Sequence, residues 1–184
     1  MSVQISIPNQ APSGPKTKKT YTITLGELTK HNLKQLRLVN QMVFPVQYSE
    51  AFYQDMLKPG KYCRLAYFND IIVGAVCYRF DNIPNENGEN VKKAYIMNLG
   101  CLSYYRRLGV GTKLLQHVIN HCKELDNVKS IMLHVHTIND DALEFYKRHG
   151  FKNVKTVPNY YVRIEPTDAY ELEIDLQDCK HSEE

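Results

Sequence analysis

The sequence predicts an α/β (α+β) fold, a mixed sheet of about seven strands with four helices on its faces. Three observations predict it. Stretches of period two alternate with stretches of helical period along a 184-residue chain. A strand–helix–strand unit over 93–137 is a crossover, so its two strands should be parallel neighbours. An Asn69-Asp70 turn between two apolar runs makes a hairpin, so other neighbours should be antiparallel.

Taken in order, 20–25 (TYTITL) alternates like a strand. In 31–44, Leu33, Leu36, Val39 or Asn40, and Val43 recur at helical spacing. A short helix over 49–57 takes Ser49 as its N-cap. CRLAYFND and IIVGAVCYRF form the hairpin. DNIPNENGEN, 81–90, is polar and holds Pro and Gly, so it reads as a long exposed turn. KAYIMNLGCL, 93–102, is a strand. After it, Val110, Leu114, Leu115, Val118, Ile119, Cys122 and Leu125 share the broad face of an amphipathic helix. In SIMLHVHT, 130–137, Ile131, Leu133 and Val135 face one way, and Met132, His134 and His136 the other. A helix over 139–150 starts at Asn139, carries acids in its first turn and stops at Gly150. The stretches 151–164 and 169–176 supply two more strands.

Composition bounds the function classes. Apolar residues make up 43% of the chain, enough for one globular domain. Residues 1–19, with three prolines and three lysines, read as a disordered tail, 20–176 as the domain, and 177–184 as a flexible end. The formal charge of +3 is too small to argue for direct nucleic-acid binding. Ile71–Tyr78 is the longest clean apolar run, too short for a membrane span, and the first twenty residues hold no signal-type apolar core. Five cysteines without a CxxC pair fit reduced, mostly buried thiols in an intracellular protein, and no metal is expected.

The stretch RRLGVGTKLL, 106–115, carries the chemistry. A strand feeds Gly109-x-Gly111, which opens a helix. A helix N-terminus presents free N–H groups and positive partial charge, and residues without side chains let an anion reach them. Arg106 and Arg107 add charge where phosphates would sit. Neither the dinucleotide fingerprint nor the GxxxxGK[ST] loop is present, since Leu114 stands at the third glycine position and Lys113 does not follow the second glycine directly. On spacing alone, phosphate binding and a plain helix start are equally open.

The pattern Arg106-x-x-Gly109-x-Gly111, between a strand and an amphipathic helix, resembles the acetyl-CoA motif of the GCN5-related N-acetyltransferase (GNAT) family. ND-x-AL-x-FY-x-x-x-GF, 139–151, resembles that family's second CoA-contacting helix. FPVQY (44–48), AYFNDIIVGAVC (66–77), YIMNLGCL (95–102), YRRLGVGTKLL (105–115), LHV (133–135) and NYYVRIEPTDA (159–169) extend the similarity, over about 20–176, to the NatE type of N-terminal acetyltransferase. Departures from that pattern are a longer arm over 1–19, a longer and more polar loop over 81–92, and Tyr104 in place of Pro. They bear on partner contacts more than on chemistry.

The resemblance implies a GNAT fold with acetyl-CoA as cosubstrate, bound by Leu99, Gly100, Cys101, Arg106, Arg107, Leu108, Gly109, Val110, Gly111, Thr112, Asn139 and Tyr146. It implies direct attack, in a ternary complex, by the α-amino group of a polypeptide beginning with Met and an apolar second residue. Peptide or nascent-chain N-termini are then the substrate. The large scaffold subunit of the NatA complex and, through it, the ribosome are implied partners, in the cytoplasm and also the nucleus. Lysine or small-amine acetylation on the same fold is the alternative, or a weakly active subunit of a ribosome-associated NatA/NatE complex. A lysine ammonium, with a pKa of about 10.4, demands a stronger base than an α-amine at about 8.

A protonated amine has no lone pair, so a base must take its proton, directly or through a water. By resemblance Tyr95 and His134 form the acid/base pair, and Tyr146 approaches the CoA sulfur. Read from the residues, His134 is equally a satisfied core histidine, His136 is a rival base on the same face, Tyr95 a half-buried strand aromatic, Tyr146 a core neighbour of Phe145 and Asn139 an N-cap. Oxyanion stabilisation falls to a backbone N–H near Leu99. At the substrate end, Phe44, Pro45, Val46, Tyr48, Met97, Tyr160, Tyr161 and Ile164 are implied to close over the peptide N-terminus, with Phe, Val and Met forming an apolar slot for methionine. Phe44 and Val46 are otherwise helix-end core residues.

Overall fold

The computed structural model describes residues 21–84, 87–125 and 127–177. The tail expected over 1–19, Cys179 and nearly all of the expected C-terminal end lie outside the described residues. Seven strands and four helices follow one another as β1 (Ile23–Glu27), α1 (Leu33–Val43), α2 (Glu50–Asp55), β2 (Lys61–Phe68), β3 (Ile71–Pro84), β4 (Asn90–Cys101), α3 (Val110–Glu124), β5 (Val128–His136), α4 (Asp140–Arg148), β6 (Lys152–Val157) and β7 (Ala169–Asp175). The sheet order is β1-β2-β3-β4-β5-β7-β6. Every neighbouring pair is antiparallel except β4–β5, which is parallel because α3 carries the chain back between them.

Each face of the sheet has its own core. One holds Val110, Leu114, Leu115, Val118, Ile119 and Cys122 of α3 and Tyr146 of α4, packed on Val76, Ile96, Ile131, Leu133 and Val135. The other packs Leu33 and Leu36 of α1 and Tyr53 of α2 on Leu65, Ala75 and Cys77, with Tyr48 and Met97 at its margin. The four described cysteines are buried and unbridged, as expected of small apolar residues. Among the described residues no helix is long and apolar enough to cross a membrane.

Three boundaries differ from the sequence reading. β1 runs Ile23–Glu27, ending two residues later than the alternation suggested, in register with Arg64–Phe68. The polar stretch 81–92 is mostly ladder: Asp81 pairs with Lys93 and Pro84 with Asn90. Pairing and a cross-strand cation–π contact, Lys92 over Phe80 at 5.1 Å, outweigh the low strand propensity of these residues. β6 ends at Val157 rather than 164. Pro158 has no N–H for a ladder, and Asn159 turns left-handed at φ 55°. The loop 158–168 then ties itself down, Asn159 N–H donating to Asp168 (3.0 Å) and Tyr161 N–H to the Thr167 carbonyl (2.8 Å).

Two irregularities in β4 open the sheet at its centre. Cys77 pairs with Asn98 but Tyr78 with Ile96, so Met97 is an extra, bulged residue. The β4–β5 ladder stops at Tyr95–Met132, although both strands continue. Beyond that pair the sheet parts, with Leu99–Cys101 on one side and the β5–α4 segment on the other.

Candidate active site

A cleft of about 600 Å³ occupies this parting, walled by Leu99, Gly100 and Cys101 of β4, by Arg106, Arg107, Gly109, Gly111 and Thr112, by residues of α4 and its two caps, and by the bend Val43–Pro45 at the end of α1. Gly109 caps α3 in the left-handed region at φ 87°. Its carbonyl accepts from the Lys113 N–H at 2.9 Å. The N–H groups of Val110, Gly111 and Thr112 therefore belong to the first turn, where no intrahelical acceptor exists. Val110 is buried in the core and does not line the cleft. Leu108 is half-buried and does not line the cleft. Arg106 and Arg107 reach Asp141 at 3.9 and 3.7 Å, long and exposed contacts that hold them loosely.

Backbone approaches the cleft closely at one point. A Cβ on Gly100 would stand 2.4 Å from Val43 Cγ1 and 2.8 Å from Phe44 Cζ. Only glycine lets the bend close over β4 there. Phe44 and Pro45 of that bend line the cleft. The Asn139 side chain accepts from Ala142 N–H at 3.2 Å, so it caps α4 while facing the cleft. Tyr146 is buried against Phe145 and Phe151 and also lines the cleft, and burial pushes its hydroxyl pKa up. Ala142 and Phe145 of the second motif line it as well, and so do Val43, Asp141, Arg148 and His149, which the motifs leave unmarked.

At the apex of the parting Tyr95 and His134 meet. The Tyr95 hydroxyl lies 3.2 Å from His134 Nδ1 and 2.8 Å from the Tyr160 hydroxyl. Tyr160 stacks on the His134 ring at 4.4 Å. His134 Nε2 lies 3.3 Å from Glu171 on β7, a carboxylate the sequence reading did not single out. Only the strand register, His134 opposite Glu171, reveals it. Burial lowers the His134 pKa below its ordinary value, and Glu171 opposes that. Desolvation, then the Tyr160 hydroxyl, push Tyr95 upward, so its phenol stays protonated. His136 is engaged elsewhere: its Nε2 contacts the Pro166 carbonyl, and its ring meets Tyr161 edge-on at 5.1 Å.

The residues expected at the substrate end are joined in part by ring contacts. Tyr48 stacks on Phe52 at 4.5 Å and meets Phe44 edge-on at 5.9 Å. Burial raises the hydroxyls of Tyr48 and Tyr161 to about 12. Tyr160 and Tyr161 pack together at 4.9 Å. Val46 and Ile164 are half-buried, and the bulge points Met97 to the same core margin as Tyr48. Among the described residues no group of three or more His, Cys, Asp or Glu side chains could hold a metal ion.

The sequence matches the profile described as acetyltransferase (GNAT) family over residues 30–151. It is 50% identical over 155 residues to N-alpha-acetyltransferase 50 of Danio rerio, covering 84% of this chain and 89% of that protein. It is 51% identical over 156 residues to the probable N-acetyltransferase san of Drosophila melanogaster, covering 85% and 82%. Its structure is similar to that of Arabidopsis thaliana Naa50 in complex with the bisubstrate analogue CoA-Ac-MVNAL, at 41% identity and a TM-score of 0.73, covering 83% of this chain and 97% of that one.

Proposed function

The chain belongs to the acetyltransferase (GNAT) family, and from that premise we propose that it transfers the acetyl group of acetyl-CoA to the free α-amino group of polypeptides that begin with methionine. Acetyl-CoA supplies the activated acetyl group. The cleft fits it by the chemistry of its donors. The first-turn N–H groups of α3, the approach left open at Gly109 and the loosely held Arg106 and Arg107 suit a pyrophosphate. Leu99, Gly100 and Cys101 would flank the pantetheine arm along the free edge of β4, with Asn139 and Tyr146 opposite.

The observation that carries this assignment is the Tyr95–His134 pair, met where the β4–β5 ladder ends. An α-ammonium near pKa ~8 must lose a proton before it attacks. Neutral His134, its pKa lowered by burial, is the acceptor. Tyr95, protonated, is the bridge: it passes its own proton to His134 as it takes one from the amine or an ordered water. Backbone N–H near Leu99 meets the charge that builds on the carbonyl oxygen. Phe44, Val46 and Met97 form the methionine slot, with the hydroxyls of Tyr48, Tyr160 and Tyr161 holding the peptide backbone. The CoA-Ac-MVNAL complex of the Arabidopsis relative supports this reading.

The test compares peptides starting Met-Leu with N-blocked versions carrying an internal lysine. Turnover of the free peptides alone is expected; turnover of the blocked lysine peptides alone overturns the assignment in favour of a side-chain acetyltransferase. A scan of first and second residues should find Met followed by an apolar residue preferred. Work at the ribosome in the cytoplasm through the NatA scaffold subunit, with a nuclear pool, belongs to the same proposal on the strength of the sequence resemblance. Co-purification with that subunit checks it.

A further inference from the structure

We propose that Glu171 is a positioning residue for acetyl transfer, its carboxylate fixing His134 in the tautomer whose Nδ1 is free to accept the proton that Tyr95 relays. This rests on the functional reading above and adds a residue to it. The register of β5 and β7 sets His134 directly opposite Glu171. The Nε2–Oε2 distance is 3.3 Å, and both side chains are only 12% exposed. A carboxylate only accepts, so Nε2 must carry the proton. A neutral imidazole has one proton to place, so Nδ1 keeps its lone pair, and Nδ1 is the atom 3.2 Å from the Tyr95 hydroxyl. The Tyr95 hydroxyl can donate or accept, so it does not choose the tautomer; the carboxylate does. With Nδ1–H the relay would point the wrong way.

The neighbouring glutamate on the same strand shows what a scaffold carboxylate looks like here. Glu173 lies 2.7 Å from Lys93 and takes the Ser130 hydroxyl, a closed group with no side chain of the apex in it. Glu171 instead divides its charge between His134 and Lys155, whose Nζ is 3.2 Å away and whose side chain is 60% exposed. The groups facing His134 come from every element around it: Tyr95 from β4 with Arg79 of β3 over its ring, Tyr160 from the loop 158–168, Lys155 from β6, and Glu171 from β7. Glu171 raises the pKa of His134, and Lys155 lowers it, within an overall lowering set by burial.

The signs make the test specific. Glu171→Gln removes a raising charge, so the acid limb of the kcat–pH profile moves to lower pH. Lys155→Met removes a lowering charge, so the limb moves to higher pH. In Glu171→Gln, kcat should fall about tenfold, at the low end of what losing a histidine-orienting partner costs, with KM for acetyl-CoA unchanged. Nitrogen-15 NMR of His134 should show Nε2 protonated and Nδ1 bare in the wild type, and a gain of the opposite tautomer in Glu171→Leu. A merely structural Glu171 would lower Tm without moving the two limbs in opposite directions, and that result overturns the proposal. So does a wild-type His134 protonated on Nδ1, a measurement that stands even if Glu171→Leu fails to fold. If the wild type does not acetylate Met-Leu peptides, the functional reading fails, while the tautomer measurement still judges Glu171.

Discussion

The two ends of the site are built in opposite ways. The proposed donor end is local: Arg106, Arg107, Gly109, Gly111 and Thr112 lie within seven consecutive residues, and one turn plus one helix start produces them together. The acceptor end is assembled. Tyr95, His134, Tyr160 and Glu171 come from β4, β5, a loop and β7 and form a chain of contacts, Tyr160 to Tyr95 at 2.8 Å, Tyr95 to His134 at 3.2 Å and His134 to Glu171 at 3.3 Å. Binding a phosphate needs backbone N–H groups in a fixed turn, which a short segment makes by itself. Moving a proton needs side chains of different chemistry at hydrogen-bond distance, and only separate strands converge that way. Each end should therefore be vulnerable to a different kind of change.

The largest effect should come at the assembled end. His134→Ala removes the proton acceptor and should lower kcat by about 10²–10⁴, the range of general-base loss, while acetyl-CoA binding measured by calorimetry stays as in the wild type. A matching loss of acetyl-CoA affinity would break the division between the ends. Next comes the seam. Gly100→Ala forces a Cβ to within 2.4 Å of Val43 and 2.8 Å of Phe44. Such overpacking costs about 1–3 kcal/mol, and a shifted bend should raise KM for both substrates, as melts and kinetics would show.

The two glycines of the local end separate backbone from space. Gly109 has φ 87° and nothing but Ile23 Cδ1, at 4.0 Å, near a would-be Cβ. Gly109→Ala should therefore cost about 1–2 kcal/mol of left-handed strain, read as a fall in stability. A Cβ on Gly111 meets Phe145 at an ordinary 3.4 Å, in a helix. Gly111→Ala should leave the fold as stable or steadier by up to about 1 kcal/mol and raise only KM for acetyl-CoA, because the methyl stands in the cleft. Equal losses of stability in the two variants would show that the turn is not what tells them apart.

The mildest effect is a gradual one with pH. His117, His121 and His134 all have lowered pKa values, burial first in each case. Their unfolded value is the ordinary 6.5. Below it the unfolded chain binds protons that the folded chain refuses, so stability is full above that pH and drains as pH falls toward the lowered values. Denaturant melts from pH 7.5 to 5 should show this decline. Activity should fall over the lower part of that window, when folded His134 itself takes a proton.

Much of the fold is legible in the sequence. The order of strands and helices and the apolar face of α3 follow from periodicity, the hairpin from its Asn69-Asp70 turn, and the parallel β4–β5 pair from the helical crossover that joins them. The polar ladder of 81–92 is not, because its pairing is set by the partner strand and runs against local propensity. Nor is Glu171. Within AYELEIDL its glutamate looks like the outward half of an alternating strand, and only β5 beside it makes it a buried partner of His134.

The donor end is thus written in the chain's own order, since a left-handed glycine before a helix creates its N–H groups wherever the segment folds. The proposed proton relay depends on the assembled sheet. The bulge at Met97 and the end of the β4–β5 ladder at Tyr95 are properties of pairing between strands, not of either strand alone. Whether His134 is a base or a core histidine depends on what stands on each of its nitrogens, and both partners arrive from other parts of the chain.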